Sequence, residues 1–76
     1  MSWNYRVVKY AEPLEDVYLI HEVYYSKRGK IEGWSEGEMH PLGTSLKDLR
    51  GDLKHMMQAL KQPVLLFKKG KLVPIK

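Results

Sequence analysis

The sequence predicts a single α+β domain in which an antiparallel three-stranded meander carries one amphipathic helix on one face and ends in a strand hairpin, in the order βββαββ. The first part of the chain alternates apolar and polar residues with the period of β-strands. A later run of large apolar residues follows helical spacing. Two short apolar segments then flank a lysine-rich turn. A length of 76 residues and a hydrophobic fraction of 43% fit one domain over residues 1–76.

The alternation of apolar and polar residues predicts the first two strands. Residues 3–10 place their aromatic and aliphatic side chains mainly on one side, and Pro13 in the polar turn that follows prevents this strand from continuing. Residues 17–25 have apolar side chains on both faces, which is typical of a central strand. We therefore expect the second strand to lie between two others.

A third strand is predicted over residues 30–36, after a short hairpin loop at residues 26–29. Its large apolar residues, Ile31 and Trp34, are three positions apart and would point to opposite faces of a regular strand. A β-bulge near Gly33 would bring them to the same face, because a glycine inside a strand often marks a bulge. We therefore expect this strand to be irregular.

The helix is predicted to begin after Ser45, a good N-cap residue, with Asp48 in the first turn near the positive end of the helix dipole. Pro63 ends it. Asp52 and His55 fall on the side predicted to be polar. The apolar stripe expected to pack on the sheet consists of Leu46, Leu49, Leu53, Met56, Met57 and Leu60.

Positive charge is concentrated towards the C-terminus. The chain has 13 Lys and Arg residues against nine acids, which gives a net charge of +4. Residues 61–76 contain five of the lysines and no acid, so residues 1–60 are close to neutral. Residues 64–67 and 72–75 flank most of this charge as a predicted hairpin. The segment either contacts an acidic partner or nucleic acid, or only makes the chain more soluble.

The residue types that carry catalysis or bind metals form no convincing pattern. The chain has no cysteine, which excludes disulfides and thiolate metal sites. His21, His40 and His55 do not stand at metal-ligand spacing, and we expect His21 to be a hydrogen-bonded histidine of the sheet. Glu36 and Glu38 are interpreted as an exposed acidic strand end and not as an acid–base pair. With no activated nucleophile either, we expect a non-enzymatic protein without cofactor or metal.

Targeting signals are also missing from the sequence. No apolar run approaches the ~18 residues that a membrane-spanning helix needs. The first residues lack the charged and then apolar layout of a signal peptide. We therefore expect a cytoplasmic protein that does not interact with a membrane.

Aromatic and basic residues indicate where a partner would bind. One helix covers only one face of a sheet, so we expect the other face to be open, with Tyr18, Tyr24 and Tyr10 as its candidate residues. Such aromatic side chains contact partner proteins or stack on single-stranded nucleic acid. Basic residues of two predicted turns extend this surface. The residues predicted to bind a partner are Tyr18, Tyr24, Lys27, Arg28, Lys30, Lys68, Lys69 and Lys71.

The segment Gly-Thr-Ser-Leu-Lys-Asp-Leu at residues 43–49 follows three predicted strands and opens a helix that ends in Met-Met-Gln-Ala-Leu at residues 56–60. This arrangement resembles HicB-type antitoxin domains, in which three antiparallel strands lead through such a turn into one helix and a further strand. The resemblance covers residues 3–67 and implies a truncated ribonuclease-H-like fold that serves as a binding scaffold. The lysine-rich hairpin stands where these antitoxins usually carry a DNA-binding module.

The sequence thus predicts a protein-interaction module, namely an antitoxin-like or phage-encoded inhibitor or regulator that binds a partner protein. The alternative is a small nucleic-acid-binding protein that uses an open aromatic and basic sheet face together with the lysine-rich hairpin. A small sheet with an exposed edge also tends to pair with another copy, so a homodimer is a further expectation.

Overall fold

The computed structural model describes residues 2–75 and confirms the α+β class, with one α-helix and one five-stranded sheet. A short 3₁₀ turn (Gln58–Lys61) continues the α-helix, so the predicted order of elements is matched in part. The elements are β1 (Ser2–Ala11), β2 (Asp16–Tyr25), β3 (Ile31–Trp34), α1 (Leu46–Met57), β4 (Leu65–Lys68) and β5 (Lys71–Pro74).

The strands form a single mixed sheet in the order β3-β2-β1-β4-β5. β1 pairs with β2 antiparallel along its whole length, and β2 pairs with β3 antiparallel, as the meander prediction requires. β4 joins the free edge of β1 in parallel, with Val8 opposite Leu65. The chain reaches that edge by crossing over the sheet through α1, which is the connection that a parallel pair needs. The antiparallel meander predicted for the first three strands is therefore confirmed. The strands of the C-terminal hairpin also pair antiparallel with each other, and the hairpin joins the meander through the parallel pair of β1 and β4, which makes the sheet mixed.

The irregular third strand contains the bulge that the sequence predicts. Tyr24 lies opposite Gly33 and Tyr25 lies opposite Ile31, so Glu32 is an extra residue in β3. Ile31 and Trp34 consequently pack against the same group of buried side chains. The expected bulge near Gly33 is confirmed.

Buried residues lie on both faces of the sheet. On the helix side, Tyr5 and Val7 of β1 pack with Met56 and Ala59. The other face carries a second cluster, which consists of Val8, Val23, Leu65 and Leu72, with Tyr10, Tyr25, Ile31 and Trp34 packed against it. The sheet thus has two small cores, one of which has no helix above it.

Curling of the sheet closes the face opposite the helix. Trp34 of β3 and Phe67 of β4 have two strands between them, a separation of roughly 14 Å in a flat sheet. Their ring centroids are nevertheless 6.3 Å apart. Val8 and Val23 beneath them are completely buried. The expectation that this face is open is therefore wrong, because the sheet folds over its own side chains.

The beginning and the end of the helix agree with the sequence prediction. Ser45 is the N-cap, and its hydroxyl oxygen accepts a hydrogen bond from the backbone nitrogen of Asp48 at 3.1 Å. Helical structure continues through the 3₁₀ turn to Lys61, two residues before Pro63. Within residues 2–75, no helix has the length and apolar character needed to cross a membrane.

The rotation of the helix about its axis differs from the prediction. Met56 is the only buried residue of α1, and Asp52 and His55 from the predicted polar side also face the sheet. The side of the helix that faces the sheet therefore lies roughly a quarter turn around the helix axis from the centre of the apolar stripe, at about 100° per residue. The prediction that the whole stripe packs on the sheet is therefore wrong. The stripe residues left exposed are Leu46, Leu53, Met57 and Leu60.

Candidate functional site: an apolar groove beside the helix

An open groove of about 450 Å³ runs between α1, the first half of β2 and the loop at residues 38–41. Among the described residues that line it, Glu38 and His40 are the only charged or titratable side chains apart from Tyr18. The apolar and aromatic side chains that line it are Tyr18, Leu19, Ile20, Met39, Pro41, Leu53, Met56, Met57 and Leu60. A concave surface with this composition is typical of a binding site.

Backbone hydrogen bonds hold the loop wall of the groove against β2. After β3 ends, the nitrogen of Ser35 donates to Glu22 O at 2.9 Å and the nitrogen of Met39 donates to Ile20 O at 2.8 Å. The chain therefore follows the edge of β2 beyond the last strand pair. Met39 packs against the helix-side core, which fixes this wall without an occupant.

Asp52 fixes the helix wall of the groove. Its Oδ1 accepts a hydrogen bond from the Tyr5 hydroxyl at 3.0 Å, and its Oδ2 accepts one from the backbone nitrogen of Leu42 at 2.8 Å. One carboxylate thus joins α1 to the sheet and to the loop. Since the helix is held in this rotation, Leu53 and Met57 line the groove and Leu46 is exposed to solvent.

The exposure of the stripe is large for side chains of this type. Leu46 is 78% exposed, Leu60 69% and Met57 61%, whereas Met56 on the neighbouring side of the helix is 4% exposed. Isolated exposed leucines are ordinary, but four exposed apolar side chains along one helical segment, three of which line a groove, mark an interaction surface. This row was missed at the sequence level because it was assigned to the core.

Basic residues of the helical segment lie beside the apolar stripe, whereas its acidic residues lie on a different side. Arg50, Lys54 and Lys61 are exposed and lie three or four positions from residues of the apolar stripe, which makes them its neighbours. The two acids of the helix lie elsewhere. Asp48 accepts from the Thr44 hydroxyl at 2.9 Å, and Asp52 is bonded to Tyr5 and Leu42. The solvent side of the helix is therefore apolar and cationic.

A second, polar cleft of about 580 Å³ lies on the other side of the helix. Burial raises the pKa of Tyr5 to about 12, and the Asp52 carboxylate adds to this shift. Tyr24 donates to Glu22 Oε1 at 2.7 Å, and this bond raises the pKa of the Tyr24 hydroxyl. The neutral phenol is thus favoured at Tyr5 first by burial and then by Asp52, and at Tyr24 first by its bond to Glu22. Within residues 2–75, no three His, Cys, Asp or Glu side chains are placed to hold a metal ion.

His21 is 1% exposed and has partners for both ring nitrogens. Its Nδ1 lies 3.0 Å from the carbonyl oxygen of Ser35, which can only accept, so Nδ1 carries the hydrogen. Its Nε2 then accepts from the Tyr10 hydroxyl at 2.9 Å. The interpretation of His21 as a hydrogen-bonded histidine of the sheet is confirmed.

The structure separates the two tyrosines predicted to bind a partner. Tyr18 is exposed and lines the groove. Tyr24 also lies on the helix side of the sheet, opposite Trp3 in β1, and its hydroxyl is bonded to Glu22. Of the eight predicted residues, Tyr18 alone lines the groove.

The six basic residues of that prediction form two groups at opposite ends of the sheet. Ser2 of β1 lies opposite Tyr25, next to the β2–β3 turn, and Ala11 lies opposite Asp16 at the other end of the sheet. Because β4 runs parallel to β1, the β4–β5 turn lies at the Ala11 end. The length of β1 separates the two groups by roughly 30 Å, so they do not form one surface. The groups are Lys27, Arg28 and Lys30 at one end, and Lys68, Lys69 and Lys71 at the other.

No family model, curated protein or solved structure shows significant similarity to this chain. The resemblance to HicB-type antitoxin domains therefore stays a prediction from the sequence.

Proposed function

We propose that this protein is a non-enzymatic interaction module and that a partner protein docks in the groove beside the helix. The observation that carries this proposal is the exposure of Leu46, Leu53, Met57 and Leu60 along α1 and the 3₁₀ turn that continues it. Complete burial of a leucine or methionine side chain contributes about 1.5–3 kcal/mol. A partner that covers this row therefore gains several kcal/mol, which offsets part of the entropy lost on association.

The preferred occupant of the groove is a segment of another protein and not a second copy. Each copy presents the same exposed cations, Arg50, Lys54 and Lys61, beside the apolar row, and carries a net charge of +4. Bringing two such helices together would place like charges close to one another. The groove has the concave form into which a partner helix docks. A homodimer is the competing outcome, and the molecular mass in solution distinguishes it.

The test compares proteins captured by the wild type with those captured by the double variant Leu53→Asp, Met57→Asp. The matched control is Leu14→Asp, since Leu14 is 99% exposed and does not line the groove. We expect a partner that binds the wild type and the control but not the double variant. The partner is then purified, and its affinity for all three proteins is measured by calorimetry.

Two results would contradict docking of a different protein in the groove. If no purified partner distinguishes the double variant from the wild type, while circular dichroism shows that the variant is folded, the groove is not the binding site. If light scattering shows a dimer for the wild type and a monomer for the double variant, the groove joins two copies of the chain. Either result overturns binding of a different protein there.

A narrower function, an inhibitor or regulator of the antitoxin kind, rests on the sequence resemblance alone. It predicts that the partner is an enzyme whose activity falls when this protein binds. An activity assay of the purified partner with and without this protein checks it. An active complex would contradict inhibition while leaving the docking proposal intact.

Nucleic-acid binding is the second candidate function, favoured by one observation. Lys68, Lys69 and Lys71 are all exposed and lie together at the β4–β5 turn, at one end of the sheet. Binding through them would weaken steeply with salt, because cations released from the nucleic acid drive it. The triple variant Lys68→Glu, Lys69→Glu, Lys71→Glu would abolish it. No binding of a labelled oligonucleotide at low salt would exclude this function.

A further inference from the structure

The outer side of α1 presents a pattern that specifies the chemistry of the partner. We infer that the segment docking in the groove is an amphipathic helix whose apolar residues are flanked by carboxylates. This inference rests on the proposed function and deepens it, because it assigns charge and form to the partner.

The charge distribution on the helix supports a carboxylate-bearing segment. Arg50, Lys54 and Lys61 border the exposed apolar row, each within one turn of Met57 or Leu53. Among the described residues none of the three forms a salt bridge, and the acids of the helix are engaged elsewhere, Asp48 with Thr44 and Asp52 with Tyr5. Glu38, on the opposite loop wall, is the one carboxylate among the described residues that line the groove. A partner with Asp or Glu beside its apolar residues would neutralise this row, whereas a basic partner would be repelled.

The dimensions of the exposed row suit a helix. The row runs from Leu46 to Leu60 and covers roughly 21 Å at 1.5 Å per residue. A partner helix of about four turns, or roughly 14 residues, matches this length. The groove between α1 and β2 gives such a helix apolar walls on two sides, with Tyr18 on the strand and Met57 on the helix. A flat membrane surface would reach the exposed row but not the floor of the groove.

A selection from a library of random peptides, each about four helical turns long, tests the inference while the partner is still unidentified. The wild-type protein is the bait, and peptides that also bind the folded variant Leu53→Asp, Met57→Asp are discarded. We expect the remaining peptides to be rich in Asp and Glu, with apolar residues three and four positions apart. Their binding should weaken at least several-fold when salt is raised from low to high concentration.

Two charge-reversed variants show whether the cations beside the groove cause this preference. The first is Arg50→Glu, Lys54→Glu, Lys61→Glu. The second is Lys68→Glu, Lys69→Glu, Lys71→Glu, which changes the net charge by the same amount at the end of the sheet. The selected peptides should lose at least about tenfold in affinity for the first variant and much less for the second. Equal losses would assign the effect to net charge and overturn the inference.

The other outcomes separate this inference from the proposed function. Groove-dependent peptides without excess acid would overturn the acidic partner and leave docking in the groove intact. A selection that yields no groove-dependent peptide would contradict both. Co-sedimentation with phosphatidylglycerol vesicles tests whether the surface binds anionic lipid instead. Vesicle binding that requires Leu53 and Met57, in the absence of selected peptides, would assign the surface to anionic lipid and overturn both.

Discussion

The hydroxyl of Tyr5 in β1 donates a hydrogen bond to Asp52 Oδ1 in α1 at 3.0 Å, across 47 positions of the sequence. The His55 ring packs against Tyr5 one turn later, with ring centroids 5.0 Å apart. These two contacts turn a polar side of the helix towards the sheet. The apolar row that would otherwise face the sheet is therefore left beside the groove.

The variant Tyr5→Phe should destabilise the fold by about 1.5–3 kcal/mol, the usual contribution of a hydrogen bond to a charged group. The ring stays in place, and Asp52 keeps its bond from the Leu42 nitrogen. Urea unfolding at pH 7 measures the change. A free energy of unfolding equal to that of the wild type would show that the Tyr5–Asp52 bond does not hold the helix.

The burial of Tyr5, together with its bond to Asp52, gives the protein a specific sensitivity to alkali. The unfolded chain releases the Tyr5 proton near its ordinary pKa of 10.0, whereas the folded protein keeps it up to a pKa of about 12. Between these values the unfolded state binds fewer protons, so stability falls as the pH rises. The contribution is fully present below pH 10.

Comparison of wild type with Tyr5→Phe between pH 9 and 12 tests this pH dependence. The variant should lose less stability over that range than the wild type. Some loss should remain, because burial also raises the pKa of Tyr10 and the bond to Glu22 raises that of Tyr24. Identical pH profiles for the two proteins would contradict the assignment to Tyr5.

Adjacent methionines of the helix test its rotation. Met56 is 4% exposed and Met57 61% exposed. Met56→Ala should therefore destabilise the fold by about 2–5 kcal/mol, whereas Met57→Ala should change the free energy of unfolding by less than about 0.5 kcal/mol. Thermal and urea unfolding measure both. Equal losses would mean that the whole apolar stripe packs on the sheet.

Local features of this fold were predictable from the sequence where short-range rules decide them. The Ser45 cap depends on one side chain and the backbone nitrogen of Asp48, three residues on. The bulge beside Gly33 depends on the parity of Ile31 and Trp34 within one strand. Such relationships involve neighbouring residues, so spacing along the chain is sufficient to find them.

Long-range features were not predictable in the same way. Helical spacing identifies an apolar stripe but does not show which side of the helix contacts the sheet. That side is set here by the hydrogen bond between Tyr5 and Asp52, which are 47 positions apart in the sequence. The curl that brings Trp34 to Phe67 depends on four strands together. The groove lies between such long-range contacts. Tyr18 was expected on a face without a helix, but it lies on the helix side and lines the groove, and its role in binding stays a prediction.

Two glycines near or within the helix should respond to alanine in opposite ways. A Cβ atom at Gly43 would lie 2.8 Å from Leu49 Cα and even closer to its nitrogen, both parts of the helix backbone. A Cβ atom at Gly51 would meet nothing within 4 Å. Gly43→Ala should therefore destabilise by about 1–3 kcal/mol through overpacking. Gly51→Ala should stabilise by about 0.5–1 kcal/mol, because alanine restricts the unfolded chain and favours the helix.

Urea unfolding of the two glycine variants measures these changes, and each serves as the control for the other. Circular dichroism should show at least as much helix in Gly51→Ala as in the wild type. A neutral Gly43→Ala variant would mean that the loop before Ser45 does not pack closely on the first turn of α1, contrary to the short distances between Gly43 and Leu49.

The turn between β4 and β5 offers a gain in stability. Lys69 has a φ of 51° and Gly70 a φ of 76°, between the paired residues Lys68 and Lys71. Positive φ at both central positions is the signature of a type I′ hairpin turn, which favours Asn-Gly. Lysine at the first position carries a steric cost that asparagine tolerates better. Lys69→Asn should therefore stabilise the fold by a few tenths to about 1 kcal/mol, measured by urea unfolding.

The control for the turn is Lys68→Asn, which removes the same charge from a strand position. It should give no gain, because asparagine is disfavoured in strands. A gain from Lys69→Asn alone assigns the effect to backbone conformation, whereas equal gains from both variants would assign it to relief of repulsion among the lysines. The same variant also tests nucleic-acid binding, because Lys69→Asn removes one cation and keeps the turn. A loss of oligonucleotide affinity in this variant would therefore come from the lost charge and not from a distorted hairpin.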